Sequence, residues 1–172
     1  MMRKSTRAVT LSAFLAALGL VILFIASVWP TGQIGLAALA SIFAAAAVIE
    51  MGPGRALAVY AVTSVLSILL LPVKTVPLLY ILFFGYYPIV KSLAERMTFA
   101  GLRWIIKLAV FNAALTVVWF VMGELVFDFG EIEIPLFLLY IGGSVVFAVY
   151  DYGFTKVMCF YQERMSKYIK KK

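Results

Sequence analysis

Asp151 is the one acidic residue that lies well inside a long apolar stretch of this sequence. A charged side chain at the centre of a bilayer costs about 2.5–3.5 kcal/mol on insertion scales, so it usually faces the protein interior and has a basic partner. We expect Lys156 or Arg55 to be that partner. Two interpretations stay open: a buried ion pair that fixes the helix carrying Asp151, or a role with a proton or a substrate.

Four aromatic and acidic residues, Tyr80, Trp119, Glu124 and Tyr140, fall toward one end of the helices predicted below. Ligand sites typically combine apolar area with a few polar groups. We therefore expect these four side chains to approach one another and to bind a small-molecule solute. The acidic residues nearby favour a cationic or neutral solute. An ordinary belt of interfacial aromatic residues is the alternative.

Ala13 and Ala17 are four residues apart and share one face of the first predicted helix. Small residues let helix backbones approach closely in lipid, where packing replaces the hydrophobic driving force. This face either packs inside the bundle or docks on another membrane subunit.

The chain contains no histidine, and Cys159 is its single cysteine. Histidine is the commonest metal ligand and the usual general base, and one cysteine forms neither an internal disulfide nor a thiolate cluster. The sequence shows no nucleophile–base pair, phosphate-binding loop or nucleic-acid-binding motif. We expect no metal, no cofactor, no enzymatic activity and no nucleic-acid partner.

The composition predicts a membrane protein. Hydrophobic residues make up 65% of the 172 residues, and the mean hydropathy is +1.05, far above the apolar share of a soluble domain. Because a spanning helix needs about 20 residues, the uncharged run 8–49 must turn once, and proline and glycine mark this and later turns. We predict an all-α membrane protein, a six-transmembrane-helix bundle in one domain 1–172. Its helices lie at about 8–29, 34–50, 55–71, 76–92, 105–124 and 135–161, before a basic tail at 162–172.

Three segments carry finer expectations. The second helix is rich in alanine, which predicts a tightly packed helix. The aromatic run 83–88 contains Pro88 and is expected to anchor a weakened helix at the interface. The mixed segment 91–107 is expected to include a short interfacial helix.

The basic residues predict the orientation. With the N-terminus inside, 14 of the 15 Lys and Arg residues fall in inner segments, and Lys74 alone falls in an outer loop. This asymmetry follows the positive-inside rule. We therefore predict a protein of the plasma membrane with both termini in the cytoplasm. Membrane lipid is then the first partner, and the lysine-rich tail is expected to lie at the anionic membrane surface.

In length, helix number, orientation and the Ala-rich first helix, the chain resembles the substrate-binding S components of energy-coupling factor (ECF) transporters. Ala13 and Ala17 match the AxxxA pattern through which S components dock on a coupling membrane subunit. The resemblance implies a vitamin-like solute bound from the outer side, ATP hydrolysis by partner ATPase subunits and no ATPase activity of the chain itself. The loop at 30–33 is shorter than the loop that often covers substrate in that family. A second, less specific resemblance is to small bacterial membrane scaffold proteins, which bind no solute.

Overall fold

The computed structural model describes residues 2–29, 31–126 and 136–169, with side chains at 6–29, 31–121 and 137–164. All regular structure in these ranges is helical. The helices are α1 Met2–Val28, α2 Gln33–Met51, α3 Pro53–Leu70, α4 Thr75–Leu79, a π-helical turn Tyr80–Phe84, α5 Tyr87–Ala94, α6 Ala100–Val126 and α7 Leu136–Ile169. Six stretches are long and apolar enough to cross a bilayer, with α4, the π turn and α5 forming the fourth. The prediction of an all-helical chain with six candidate membrane spans is confirmed.

The alanine-rich helix α2 lies at the centre of the bundle. It contacts α1, α3, the three parts of the fourth span, and α7. Ala37, Ala40, Ala44 and Ala47 are fully buried. Because a methyl group occupies so little space, several helices approach the α2 backbone closely. The expectation of a tightly packed second helix is confirmed.

The fourth span changes its helical pitch at the aromatic run. The Gly85 amide donates to the Tyr80 carbonyl, five residues back, at 2.7 Å, which is the bond of a π turn. Pro88 follows in the first turn of α5 and has no amide to continue the ladder. The extra residue in the turn brings Phe83, Phe84 and Tyr87 into the core together.

Two of the finer expectations were wrong. The aromatic run 83–88 is not an interfacial anchor, because Phe83, Phe84 and Tyr87 are buried. The segment 91–107 holds no separate interfacial helix, since α5 continues to Ala94 and α6 already begins at Ala100. The first error arose because aromatic residues that are typical of an interface are here turned into the bundle. In the second case, the chain between Ala94 and Ala100 forms an exposed turn rather than a helix.

The beginning of α1 and the end of α7 lie at the same end of the bundle. Arg7 and Thr10 of α1 line a groove with Glu50 of α2 and Tyr161 of α7. The Tyr161 hydroxyl donates to Glu50 Oε1 at 3.3 Å. We call the end of the bundle that holds the beginning of α1 and the end of α7 the terminal end, and we call the opposite end the far end. The positive-inside prediction makes the terminal end cytoplasmic.

Candidate functional site

Four charged side chains from three helices meet inside the bundle. Lys91 lies in the last turn of α5, Glu95 directly follows that helix, Lys107 lies on α6 and Asp151 on α7. The side chains of Lys91, Lys107 and Asp151 are only 6%, 7% and 5% exposed, whereas that of Glu95 is 43% exposed. We call these four residues the charge network.

Asp151 is the centre of the charge network. Its Oδ1 accepts from Lys91 Nζ and from the Tyr87 hydroxyl. Lys107 Nζ lies 3.1 Å from Oδ2 and 3.3 Å from Oδ1. Both carboxylate oxygens therefore have donors, which is what a buried charge requires.

Glu95 completes the charge network from its exposed side. Its Oε1 atom lies 3.2 Å from Lys91 Nζ and 3.2 Å from Lys107 Nζ. Lys91 also donates to Thr155 Oγ1 at 2.7 Å, and Thr155 Oγ1 donates to the Asp151 carbonyl at 2.7 Å. Two ammonium groups are thus balanced by two carboxylates. The ammonium group of Lys91 donates to Asp151 Oδ1, to Thr155 Oγ1 and, at 3.4 Å, to the Asp151 carbonyl, so its contact with Glu95 is an ion pair.

Aromatic rings separate the charge network from the far end of the bundle. Phe111 lies one turn beyond Lys107, and Phe147 lies one turn before Asp151. The two rings stack with their centroids 4.6 Å apart. Phe83 packs edge-on against both, at 5.5 and 6.0 Å. These three phenylalanine side chains offer only apolar surface on this side of the charge network.

A cavity of about 290 Å³ opens beside the charge network toward the terminal end. We call it the network cavity. Its lining comes from α2, α5 and α7 and comprises Ala45, Val48, Ile49, Pro88, Lys91, Ser92, Glu95, Phe154, Thr155, Met158, Cys159 and Gln162. Lys91 and Glu95 of the charge network therefore border a space that can hold a small molecule, whereas Lys107 and Asp151 are not part of its lining.

The predicted basic partners of Asp151 were wrong. Lys156 follows Asp151 by five residues, which places it about 140° away around a helix with 3.6 residues per turn. It is exposed, with its Nζ 5.4 Å from the centroid of the Tyr152 ring. Arg55 is exposed near the start of α3. Lys91 and Lys107, which we assigned to inner surface segments, are the partners.

The sequence contains a weak signal for Lys91 and Lys107. Each is the basic residue nearest to the apolar core of its own span, whereas Arg96 and Arg103 lie beyond them. A buried acid needs a base at its own depth, and these two residues satisfy that condition. To identify Lys91 and Lys107 as the partners of Asp151, one must also know which spans are neighbours, and the sequence does not indicate this.

The four residues expected to form a solute pocket have different environments. Tyr80 is 1% exposed, and its ring lies 6.1 Å from that of Tyr60. Tyr140 is partly exposed, and its hydroxyl forms a 2.6 Å hydrogen bond with Thr116 Oγ1. Trp119 is partly exposed on α6. The structure does not describe the side chain of Glu124. The approach of these four side chains to one another therefore stays a prediction.

Ala13 and Ala17 are exposed on α1. Their neighbours Leu15 and Ala16 are buried, at 6% and 4% exposure, against α2 and α3. The AxxxA face is therefore not covered by another described helix of this chain. Whether a second subunit covers it stays a prediction.

The described residues contain no group of three or more His, Cys, Asp or Glu side chains arranged to hold a metal ion. No known protein family, curated protein or solved structure matches this chain. The six candidate spans fit a multi-pass helical membrane protein by their length and composition.

Proposed function

We propose that this protein is a solute-binding membrane subunit of an ECF-type uptake transporter in the plasma membrane. It binds a small, vitamin-like solute from the outer side and docks on a coupling membrane subunit, whose partner ATPases hydrolyse ATP. The chain itself is not an enzyme and needs no cofactor. The observation that supports this proposal best is the exposed face of α1 that carries Ala13 and Ala17.

The face that carries Ala13 and Ala17 is suited to close packing against another helix in lipid. Helix association in a bilayer relies on close van der Waals contact, which small residues permit. The buried side of α1, with Leu15 and Ala16, already packs on α2 and α3. Ala13 and Ala17 lie on the exposed side of α1, which leaves this side open to close approach by a second membrane protein.

The experiment is purification of the tagged chain from its own membrane in a mild detergent. A stoichiometric membrane subunit together with two ATPase subunits supports the proposal. Native mass spectrometry of the same sample then tests for a co-purifying small molecule. Isolation of the chain alone, with neither subunits nor solute, contradicts the proposal.

A membrane scaffold or assembly protein without a solute is the second candidate. One observation favours it: Tyr80, which we expected to contact solute, is enclosed in the packed core. A scaffold would co-purify with other membrane proteins but without ATPase subunits or a bound small molecule. The same purification therefore separates the two candidates.

A further inference from the structure

We propose that the network cavity binds the carboxylate group of a small soluble molecule, which takes the place of Glu95 between Lys91 and Lys107. The cavity opens at the terminal end, whereas the solute site proposed above lies at the outer side. The two proposals concern different sites, and neither depends on the other.

Glu95 occupies a position from which a ligand can displace it. One oxygen, Oε1, contacts both lysines at 3.2 Å, and the side chain is 43% exposed. Because Glu95 is exposed, water can solvate its carboxylate after it turns outward, whereas the buried lysines lose one of their two counter-charges and then favour another anion. Asp151, at 5% exposure and with donors on both oxygens, has no such freedom.

The backbone position of Glu95 also favours displacement of its side chain. Glu95 directly follows the last residue of α5, and its amide donates to the Lys91 carbonyl at 2.9 Å. The C-terminal end of a helix carries a partial negative charge, which disfavours a carboxylate. The two lysines therefore keep the Glu95 carboxylate near the negative end of α5. Rotation of the side chain into solvent relieves this repulsion.

The charges select the class of ligand. When Glu95 turns outward, the ammonium groups of Lys91 and Lys107 face Asp151 alone, and the buried site has an excess positive charge. A monoanionic carboxylate restores the charge balance when one of its oxygens contacts both Nζ atoms, as Glu95 Oε1 does in the structure. A cation would be repelled, and a dianion would reverse the imbalance.

The cavity limits the size and polarity of the ligand. Its volume of about 290 Å³ lies at the lower end of the range of small-molecule sites. Val48, Ile49, Phe154 and Met158 offer apolar walls to the body of the molecule, while Gln162 and Thr155, which contacts Lys91, add polar groups. This lining fits a short carboxylic acid with an apolar body.

The test uses the purified full chain in a neutral detergent, with sodium acetate as the probe. Ionic strength is held constant with sodium chloride, and the midpoint of thermal unfolding is measured against acetate concentration. For the wild type, we expect a saturable rise in the midpoint. Glu95→Ala should have a lower midpoint without acetate and should lower the half-saturating acetate concentration by about tenfold, which corresponds to about 1.4 kcal/mol.

Two variants serve as controls. Glu50→Ala removes a carboxylate at the same end of the bundle but in a different groove, so its acetate response should equal that of the wild type. The double variant Glu95→Ala/Lys107→Met keeps Lys91 balanced by Asp151, so it should fold and show no acetate response. An acetate response that persists in this double variant overturns the proposal.

Two further outcomes would contradict the proposal. If Glu95→Ala responds to acetate and the wild type does not, no ligand displaces Glu95 and the proposal is wrong. A carboxylate could also come from a lipid headgroup, so a parallel series adds phosphatidylserine to the micelles. If phosphatidylserine raises the midpoint and abolishes the acetate response, the ligand is a lipid, and the assignment to a soluble molecule fails.

Discussion

The Nζ atom of Lys107 lies 3.1 Å from Oδ2 of Asp151 and so joins α6 to α7 through buried charges. Lys91 joins the same carboxylate to α5. Most described residues of α6 and α7 are exposed or only partly buried. The charge network and the ring contacts of Tyr87 with Phe147 and Phe154 together attach α7 to α5.

Replacement of Asp151 by asparagine should destabilise the protein strongly. Lys91 and Lys107 would keep only the exposed carboxylate of Glu95, and breaking a buried ion pair costs about 3–5 kcal/mol. We expect a loss near the lower limit, about 3 kcal/mol, because Glu95 retains part of the balance. Chemical unfolding in mixed micelles measures the change.

Lys156→Met is the matched control for that experiment. Lys156 lies on the same helix, is exposed and faces away from Asp151, so its replacement should leave the free energy of unfolding almost unchanged. If Asp151→Asn is as stable as the wild type while Lys156→Met is not, the pairing described here is wrong.

Tyr87→Phe tests the hydrogen bond from the tyrosine hydroxyl to Asp151. The ring remains and keeps its contacts with Phe83 and Phe147, so only the donor to a charged group is lost. Such bonds contribute about 1.5–3 kcal/mol, and we expect a loss of that size in the free energy of unfolding. Tyr152→Phe, at an exposed position of α7, should be neutral. Equal stability of both variants would contradict a role for the Tyr87 hydroxyl.

The sequence predicts the helices better than it predicts the charge network. Apolar run lengths, with proline and glycine between them, act locally, and they correctly indicated six spans. The partners of Asp151 are 60 and 44 residues away along the chain, and local patterns contain no information about such contacts. Lys91 and Lys107 also flank apolar runs, where topology signals usually lie, so their burial became visible only when α5, α6 and α7 were packed together.

Gly85→Ala should destabilise the π turn. A methyl group on Gly85 would lie 2.5 Å from the Tyr60 ring and 2.7 Å from the Tyr80 ring, and Tyr80 is too enclosed to move aside. Overpacking of this kind costs about 1–3 kcal/mol. Gly153→Ala is the control, since a methyl group there meets open space and alanine favours the helix by about 1 kcal/mol. Thermal unfolding midpoints should therefore move in opposite directions.

Cysteine labelling in intact cells tests the orientation. In a Cys159→Ser background, Lys172→Cys should be protected from a membrane-impermeant reagent and Glu131→Cys should react. Both positions lie outside the described residues, and the expectation rests on the distribution of Lys and Arg. Reaction at position 172 without permeabilisation would show that the orientation is reversed.

Ala17→Leu and Ala16→Leu separate docking on α1 from internal packing. Ala17 is exposed, so a leucine there should leave the isolated protein as stable as the wild type, because leucine is well tolerated in lipid. Ala16 is 4% exposed and packs with Val59 and Ala47, so a leucine there should cost about 1–3 kcal/mol through overpacking.

The two variants are compared by thermal unfolding of the isolated protein and by co-purification with membrane subunits from the native membrane. Docking predicts that Ala17→Leu keeps its midpoint and loses the partner, because the added side chain prevents close approach of the second helix. If Ala17→Leu lowers the midpoint as much as Ala16→Leu, the face belongs to the interior of the bundle. If Ala17→Leu changes neither measurement, no subunit docks here, and the ECF-type proposal loses the observation that supports it best.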